Sequence, residues 1–189
     1  MKYTAIAEVG NALVRLLKSQ MVPETLQNPD HIGLCSPADR GDFEVGIYLY
    51  DVRESEDVRS HEMGEISVSR QKYPPAHLSL YYMITAYSNG DVKYRSEEEQ
   101  RLLGRVIQVL HDYAVMDGGI LPAAQGEILP VVEMQPLTLE EKMRVWTVPN
   151  TAYKTSLFYK VGPVEVESTR SKDSKRVTDI SFLVQEERK

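Results

Sequence analysis

The chain has 189 residues, a formal net charge of −6 at pH 7 and a single cysteine, Cys35. One cysteine excludes an internal disulfide and suits a reducing compartment, and no apolar run approaches the ~20 residues that a membrane span requires. Acidic and basic residues are interspersed, so a broad face that binds a nucleic-acid backbone is not expected. The length predicts one self-supporting domain over residues 1–189, which needs no metal to fold.

The N-terminal third predicts a helix, a loop and a strand. Residues 4–20 carry apolar side chains at helical spacing with polar residues opposite, which is typical of an amphipathic helix. Pro23 ends this helix, and the polar segment 27–37 is interpreted as a loop. Residues 43–50 alternate apolar and other side chains and predict the first strand.

The segment 51–76 is charged and predicts a long loop. Within it, residues 65–70 alternate weakly, as one arm of a hairpin would. A connection of this length exceeds the usual limit of about 12–15 residues, so the segment is expected to be either functional or partly disordered. We interpret it as an exposed loop that becomes ordered on contact with a partner. A second long loop is predicted over 115–126, where two glycines and a proline break the preceding helix.

The central feature of the sequence is a strand followed by a long helix. Residues 77–87 carry bulky side chains on both faces, which predicts a central strand covered on two sides. The helix after it is predicted to begin at Ser96, with Ser96 and Glu99 forming a capping box. The strand and helix form a scaffold and contain no catalytic signature.

The C-terminal third predicts a strand, a short helix and two further strands. Pro130 within the strand 127–134 indicates an edge position or a bulge. A second capping box, formed by Thr138 and Glu141, opens a short helix. Strands are then predicted over 152–161 and 177–184.

Together these elements predict an α+β fold. We expect a mixed or antiparallel sheet of about four to six strands, with two to three helices packed on it.

Two residues are candidates for chemistry. His111, beside Asp112 near a helix end, is better explained as a cation near a helix C-terminus. Cys35 as a nucleophile would need a cationic or helix-N-terminal setting, which its loop sequence does not provide. The four histidines lack metal-ligand spacing, and no metal, cofactor or catalytic residue is predicted. A small soluble enzyme using Cys35 or His111 remains the alternative, and a nucleic-acid-binding module a third class.

The last strand and the basic segment before it form the candidate interface. Ile180, Phe182 and Val184 alternate toward one side, as in a strand with a buried face. The segment 170–176 is interpreted as a solvated hairpin tip or a contact for an acidic partner. The candidate interface residues are Arg170, Lys172, Arg176, Val177, Asp179, Ile180, Phe182 and Val184.

Several segments in order carry a family resemblance. They are 5–13, 47–53, 74–87, 99–112, 137–146 and 153–161. The strongest is Leu102-Leu-Gly-Arg-Val-Ile-Gln-Val-Leu110, followed by His111-Asp112. In this order they resemble the N-terminal domain of the tail-terminator (cap) proteins of contractile injection systems of the virulence-cassette and antifeeding-prophage type. The charged segment 51–75 and the last strand match this family poorly.

The resemblance implies a structural protein and no enzyme. Its fold would be similar to phage tail-terminator folds. Six copies would form a ring on the last layer of tail tube and sheath subunits and stop further polymerisation. It implies assembly in the cytoplasm, no nucleic-acid partner, and proximity to a membrane only through the assembled, phage-tail-like particle. A ring requires head-to-tail surfaces that close by rotation, and the strand 177–184 is our candidate for an edge that pairs with a neighbour.

Overall fold

A computed structural model describes residues 1–58, 63–67, 70–124, 128–147 and 151–173. The helices in these ranges are α1 (Ala5–Met21), α2 (Val92–Asp112) and α3 (Leu139–Val145). The strands in these ranges are β1 (Ile32–Leu34), β2 (Val45–Glu54), β3 (Gly64–Ser67), β4 (Arg70–Lys72), β5 (Ala76–Ala86), β6 (Val131–Met134), β7 (Ser156–Val166) and β8 (Ser171–Asp173). Helices and a mixed sheet in one chain confirm the predicted α+β class.

The described strands form a five-stranded sheet in the order β1-β2-β5-β7-β6 and a three-stranded sheet in the order β3-β4-β8. In the larger sheet β5 lies at the centre, antiparallel to β2 and β7. β1 runs parallel to β2 at one edge, and β6 runs antiparallel to β7 at the other. The central position of β5 is confirmed, and so is the edge position that Pro130 indicated for β6.

Both faces of β5 are covered. Leu80, Tyr82 and Ile84 point into the main core, which the buried sides of α1 and α2 complete. On the opposite face Met83 packs in a smaller cluster with Phe158 and with Trp146, the residue that follows α3. Alternation of bulky residues on both faces of this strand therefore reflects two separate apolar clusters.

The predicted start of the long helix is wrong. α2 begins at Val92, and the side chain of Asp91 caps it by accepting the Lys93 amide at 2.9 Å. Asp is as good an N-cap as Ser, and Asp91 directly follows a turn, so the helix begins one turn before Ser96. Glu99 does not close a capping box but contacts Ser88. The second capping box is confirmed, because Thr138 and Glu141 satisfy each other's amides.

The predicted loops 27–37 and 51–76 contain regular structure. The first holds a short 3-10 turn (Pro29–His31) and β1, because Ile32 is drawn into the core. The second holds the end of β2 and the strands β3 and β4, which pair with each other as a hairpin. The prediction that residues 65–70 form one arm is wrong, because Glu65 and Ser67 lie on β3 and Arg70 lies on β4. β4 also pairs with β8, about a hundred positions later along the chain, and hydrophobic periodicity does not mark a strand held by such distant pairing.

The basic segment 170–176 is not simply a bend, because Ser171–Asp173 pairs with β4 as β8. Distant backbone pairing again overrides a polar, turn-like sequence. The predicted strand 177–184 and Arg176 lie outside the described residues. The loop 115–126 is irregular where it is described, and Met116 and Leu121 anchor it in the core. The expectation of a single domain over 1–189 stays a prediction.

Candidate assembly interface

Cys35 lies directly after β1 and is half-buried. Its amide donates to the carbonyl of Ile47 at 3.1 Å, which fixes the thiol beside the edge of the sheet. Burial, followed by the nearby Asp39 carboxylate, raises the pKa of the Cys35 thiol against the lowering effect of Arg40. A raised pKa keeps the thiol protonated at neutral pH and makes it a poor nucleophile.

His111 lies in the last turn of α2, and its side chain is exposed, as is that of Asp112. A cation at this end of a helix interacts favourably with the helix dipole. This placement agrees with a role in the helix terminus and gives no enclosed site around the imidazole.

Two further properties of the described part of the chain concern metal binding and membrane insertion. There, no group of three or more His, Cys, Asp or Glu side chains is arranged to hold a metal ion. No helix within the same residues has the length and apolar character needed to cross a membrane.

The three-stranded sheet of β3, β4 and β8, which we call the arm, extends beyond the end of the larger sheet where β5 begins and β7 ends. β4 precedes β5, β8 follows β7, and the two pair antiparallel through Arg70 and Asp173 at one end and Lys72 and Ser171 at the other. Among the described residues, β3, β4 and β8 contact mainly one another. The arm therefore projects from the larger sheet.

The arm places the two described residues of the candidate interface, Arg170 and Lys172, on the surface. The Arg170 guanidinium lies over the ring of Tyr73, 4.5 Å from its centroid. Nearby, the Arg70 Nε donates to the Ser171 hydroxyl at 2.8 Å, and Lys72 pairs with Glu167 at 2.5 Å. These contacts order a projecting surface that carries several cations on an acidic chain.

The second surface is a free strand edge. β1 pairs with β2 only from Val45 to Ile47, so the remainder of β2, from Leu49 to Glu54, has no neighbour on that side in the described structure. A bulge interrupts the pairing with β5 between Leu49 and Asp51. The Val52 amide is satisfied by the Asp51 carboxylate at 2.9 Å. An unpaired edge presents amides and carbonyls to any strand that approaches it.

An apolar hollow of about 520 Å³ lies beside this edge. Its walls are the N-terminal half of α1, the end of β1 and the start of the free edge. The lining residues are Tyr3, Ile6, Ala7, Gly10, Leu34, Cys35, Ile47, Tyr48, Leu49 and Tyr82. Tyr3 is 89% exposed and Leu34 is 43% exposed, so large apolar side chains remain open to solvent here.

The sequence did not predict this hollow. A signal was present, because Tyr3 and Ile6 are apolar residues that fall outside the buried stripe of α1. Apolar residues off the core-facing stripe of a helix often mark a second contact surface. The other wall of the hollow, formed by β1 and β2, depends on where β1 ends. Only the folded structure reveals that position.

A family comparison decides the identity of this fold. Residues 8–179 match the family model described as "Pvc16 N-terminal domain". The chain belongs to this family. The match covers most of the 189 residues and confirms the resemblance to the tail-terminator family that the sequence segments indicated.

Solved structures with the same fold as this Pvc16 N-terminal domain include two proteins of contractile injection systems. One is the PVC sheath/tube terminator in the extended state, with a TM-score of 0.68 and 18% identity over 96% of this chain. The other is the anti-feeding prophage cap, a tube-terminating cap, with a TM-score of 0.59 and 17% identity over 93% of this chain. The chain spans 63% and 60% of the lengths of these two proteins. No curated protein matches the sequence.

Proposed function

We propose that this Pvc16 N-terminal domain is a structural assembly subunit that ends tube and sheath polymerisation in a phage-tail-like contractile injection system. The observation that carries the proposal is the family match over residues 8–179. It is supported by a fold shared with a sheath/tube terminator and with a tube-terminating cap. The raised pKa of Cys35 and the exposed position of His111 favour this role over catalysis.

The proposed assembly is a homo-oligomer, a six-membered ring that contacts tube and sheath subunits. A ring is built from two different surfaces that meet head to tail and close by rotation. The projecting arm and the free edge of β2 are two such different surfaces. We place the interface in Arg170 and Lys172 of the arm, together with Arg176 and the segment 177–184. The ring would form in the cytoplasm and become part of the particle.

Electron microscopy tests the proposal directly. The purified protein is imaged alone and after mixing with the tube and sheath subunits of its own system. We expect rings in the first sample and decorated particle ends in the second. Monomers that never decorate particle ends would overturn the proposal.

A charge-reversal variant tests whether the arm makes the contact with the tube and sheath subunits. Replacing both Arg170→Glu and Lys172→Glu is expected to abolish end decoration, while circular dichroism shows an unchanged fold. The matched control reverses two exposed cations elsewhere, Arg101→Glu on α2 and Arg144→Glu on α3. Equal loss of decoration in both variants would show an effect of net charge, and the arm would then have no special part in the contact.

A further inference from the structure

The free edge of β2 exposes hydrogen-bonding groups at defined positions. The Ser55 amide donates to the His77 carbonyl, so Ser55 faces β5. Because the direction of backbone groups alternates along an antiparallel pair, the backbone groups of Val52 and Glu54 face away from β5 toward the open side. Val52 and Glu54 pair with Leu80 and Leu78, which places their side chains on the face of the sheet that α1 covers.

The hollow gives this open edge an apolar wall. A strand added beyond the end of β1 would run between β2 and the N-terminal half of α1. Every second side chain of such a strand would point to the face of the sheet that carries the hollow. The side chains beside Leu49, the last β2 residue that lines the hollow, would enter it. The floor of the hollow includes Tyr82, whose buried hydroxyl has no hydrogen-bond partner in the described structure. The site therefore fits an extended segment with apolar residues at alternate positions.

The chain itself carries such a segment. Ile180, Phe182 and Val184 alternate with Ser181 and Leu183 in the 16 residues that follow Asp173. An eight-residue strand over 177–184 is long enough to cover Leu49 to Glu54, because a strand advances about 3.3 Å per residue. Sequence pattern and length both match what the edge and the hollow require.

The direction of the arm selects a neighbouring copy as the acceptor. Glu54, at the end of the free edge, pairs with Leu78 of β5, and Leu78 pairs with Val164 of β7. Asp173 follows Val164 along the chain and lies at the end of β8, well beyond the level of Glu54. Only residues 174–176 separate Asp173 from the segment, and three residues span at most about 11 Å. Asp173, where the described structure ends, thus lies away from the β2 edge of its own chain, which favours a neighbouring copy as the acceptor.

We propose that residues 177–184 of one copy add as a strand to the free edge of β2 in a neighbouring copy, with Ile180, Phe182 and Val184 on the face of the sheet that carries the hollow. Main-chain hydrogen bonds would supply affinity and the alternating apolar side chains would set the register. The inference rests on the proposed function, because it names the contact that joins adjacent copies in the ring.

Cysteine cross-linking tests the contact, since Cys35 directly follows β1, where the added strand would begin, and is the only cysteine in the chain. Its sulfur lies beside Gly46, on the face of the sheet opposite to Val45 and Ile47 and so opposite to the hollow. Val177→Cys and Leu183→Cys, made separately in the full chain, place a thiol near either end of the segment on the side opposite to the hollow, where the Cys35 sulfur lies, and so cover both strand directions. After mild oxidation we expect one of them to give a disulfide between chains on non-reducing electrophoresis. Adding Cys35→Ala should abolish it. A disulfide within one chain, or none in either variant, would overturn the proposal.

Self-association provides a second test. One substitution is made in the segment 177–184 and one in the β2 edge that would accept it. Phe182→Asp places a charge on the apolar side of the added strand. Val52→Pro removes an outward amide, which donates to the Asp51 carboxylate in the described structure and which an added strand would take over. Each is expected to weaken self-association by at least about tenfold, equivalent to roughly 1.4 kcal/mol. The controls, Ser181→Asp on the opposite side of the segment and Val52→Thr, are expected to leave it nearly unchanged. Equal behaviour of variants and controls in analytical ultracentrifugation would contradict the proposal.

Failure of this contact and failure of the proposed function are distinguishable. Rings that form with both cysteine variants uncross-linked would overturn the strand contact and leave the terminator function standing. Cross-linked copies that never decorate particle ends would overturn the function and leave the strand contact standing.

Discussion

Glu99 on α2 accepts a hydrogen bond from the backbone amide of Ser88 at 3.2 Å, just after β5 ends. The same carboxylate pairs with Lys154, which precedes β7. One partly buried side chain thus ties a helix to the ends of two adjacent strands. Hydrogen bonds to charged groups contribute more to stability than those between neutral groups.

We expect Glu99→Ala to lower the free energy of unfolding by about 2 kcal/mol, because it leaves the Ser88 amide and the Lys154 ammonium without this partner. Urea denaturation followed by circular dichroism measures the change. The control is Glu97→Ala, which removes an exposed pair with Arg101 and is expected to cost about 0.3–0.5 kcal/mol. Equal costs for the two variants would show that Glu99 does not connect these elements.

Trp146 is the single tryptophan of the chain and is 5% exposed in the cluster with Met83 and Phe158. Trp146→Ala is expected to lower the free energy of unfolding by about 3–5 kcal/mol, as for other large-to-small core substitutions. In the native protein its fluorescence reports directly on the packing of the segment after α3. We expect Phe158→Ala to shift the emission to longer wavelength.

The matched control for this cluster is Met143→Ala. Met143 lies on α3 but is 54% exposed, so we expect a change within about 0.5 kcal/mol. A large loss of stability in this variant, or an unchanged emission in Phe158→Ala, would contradict the view that the second face of the sheet is closed by Trp146.

Gly104 lies within α2, and a Cβ built there meets no atom within 4 Å. Glycine in a helix interior is less favourable than alanine by about 0.8–1.0 kcal/mol, so Gly104→Ala is expected to raise the free energy of unfolding by about 1 kcal/mol. Gly46→Ala is the contrasting substitution, because its Cβ would lie 2.6 Å from the Cys35 sulfur. We expect it to be destabilising by about 1–3 kcal/mol. Thermal unfolding would reveal opposite signs, and matching signs would refute the expectation.

Sequence patterns predict elements whose stability is local. The apolar stripe of α1, the alternation in β5 and the capping box at Thr138 each depend on residues a few positions apart, and the structure has all three. The start of α2 was wrong because Asp91 and Ser96 are both good N-caps. Local chemistry alone does not decide between two such residues.

Elements held by distant pairing escape the same patterns. β8 is a polar segment that forms a strand because its backbone pairs with β4, about a hundred positions earlier along the chain. The hollow exists because β1 ends at Leu34 while β2 continues to Glu54. A difference in length between two neighbouring strands has no signature in either strand, so the edge and its wall could not be predicted from the sequence.

The capping box at the start of α3 predicts a pH dependence. Hydrogen bonds from the Thr138 amide, and then from its hydroxyl, hold the pKa of the Glu141 carboxyl below its usual value. A depressed folded-state pKa stabilises the protein above the unfolded pKa, and the contribution is lost as pH falls through the folded value. We therefore expect the native protein to have a higher melting temperature than the Glu141→Gln variant at pH 7, with the difference shrinking below roughly pH 4.

The control, Glu140→Gln, leaves the capping box in place and is expected to show a smaller difference in melting temperature at pH 7. A difference between native protein and Glu141→Gln that stays constant from pH 7 to 3 would contradict the ionised capping box.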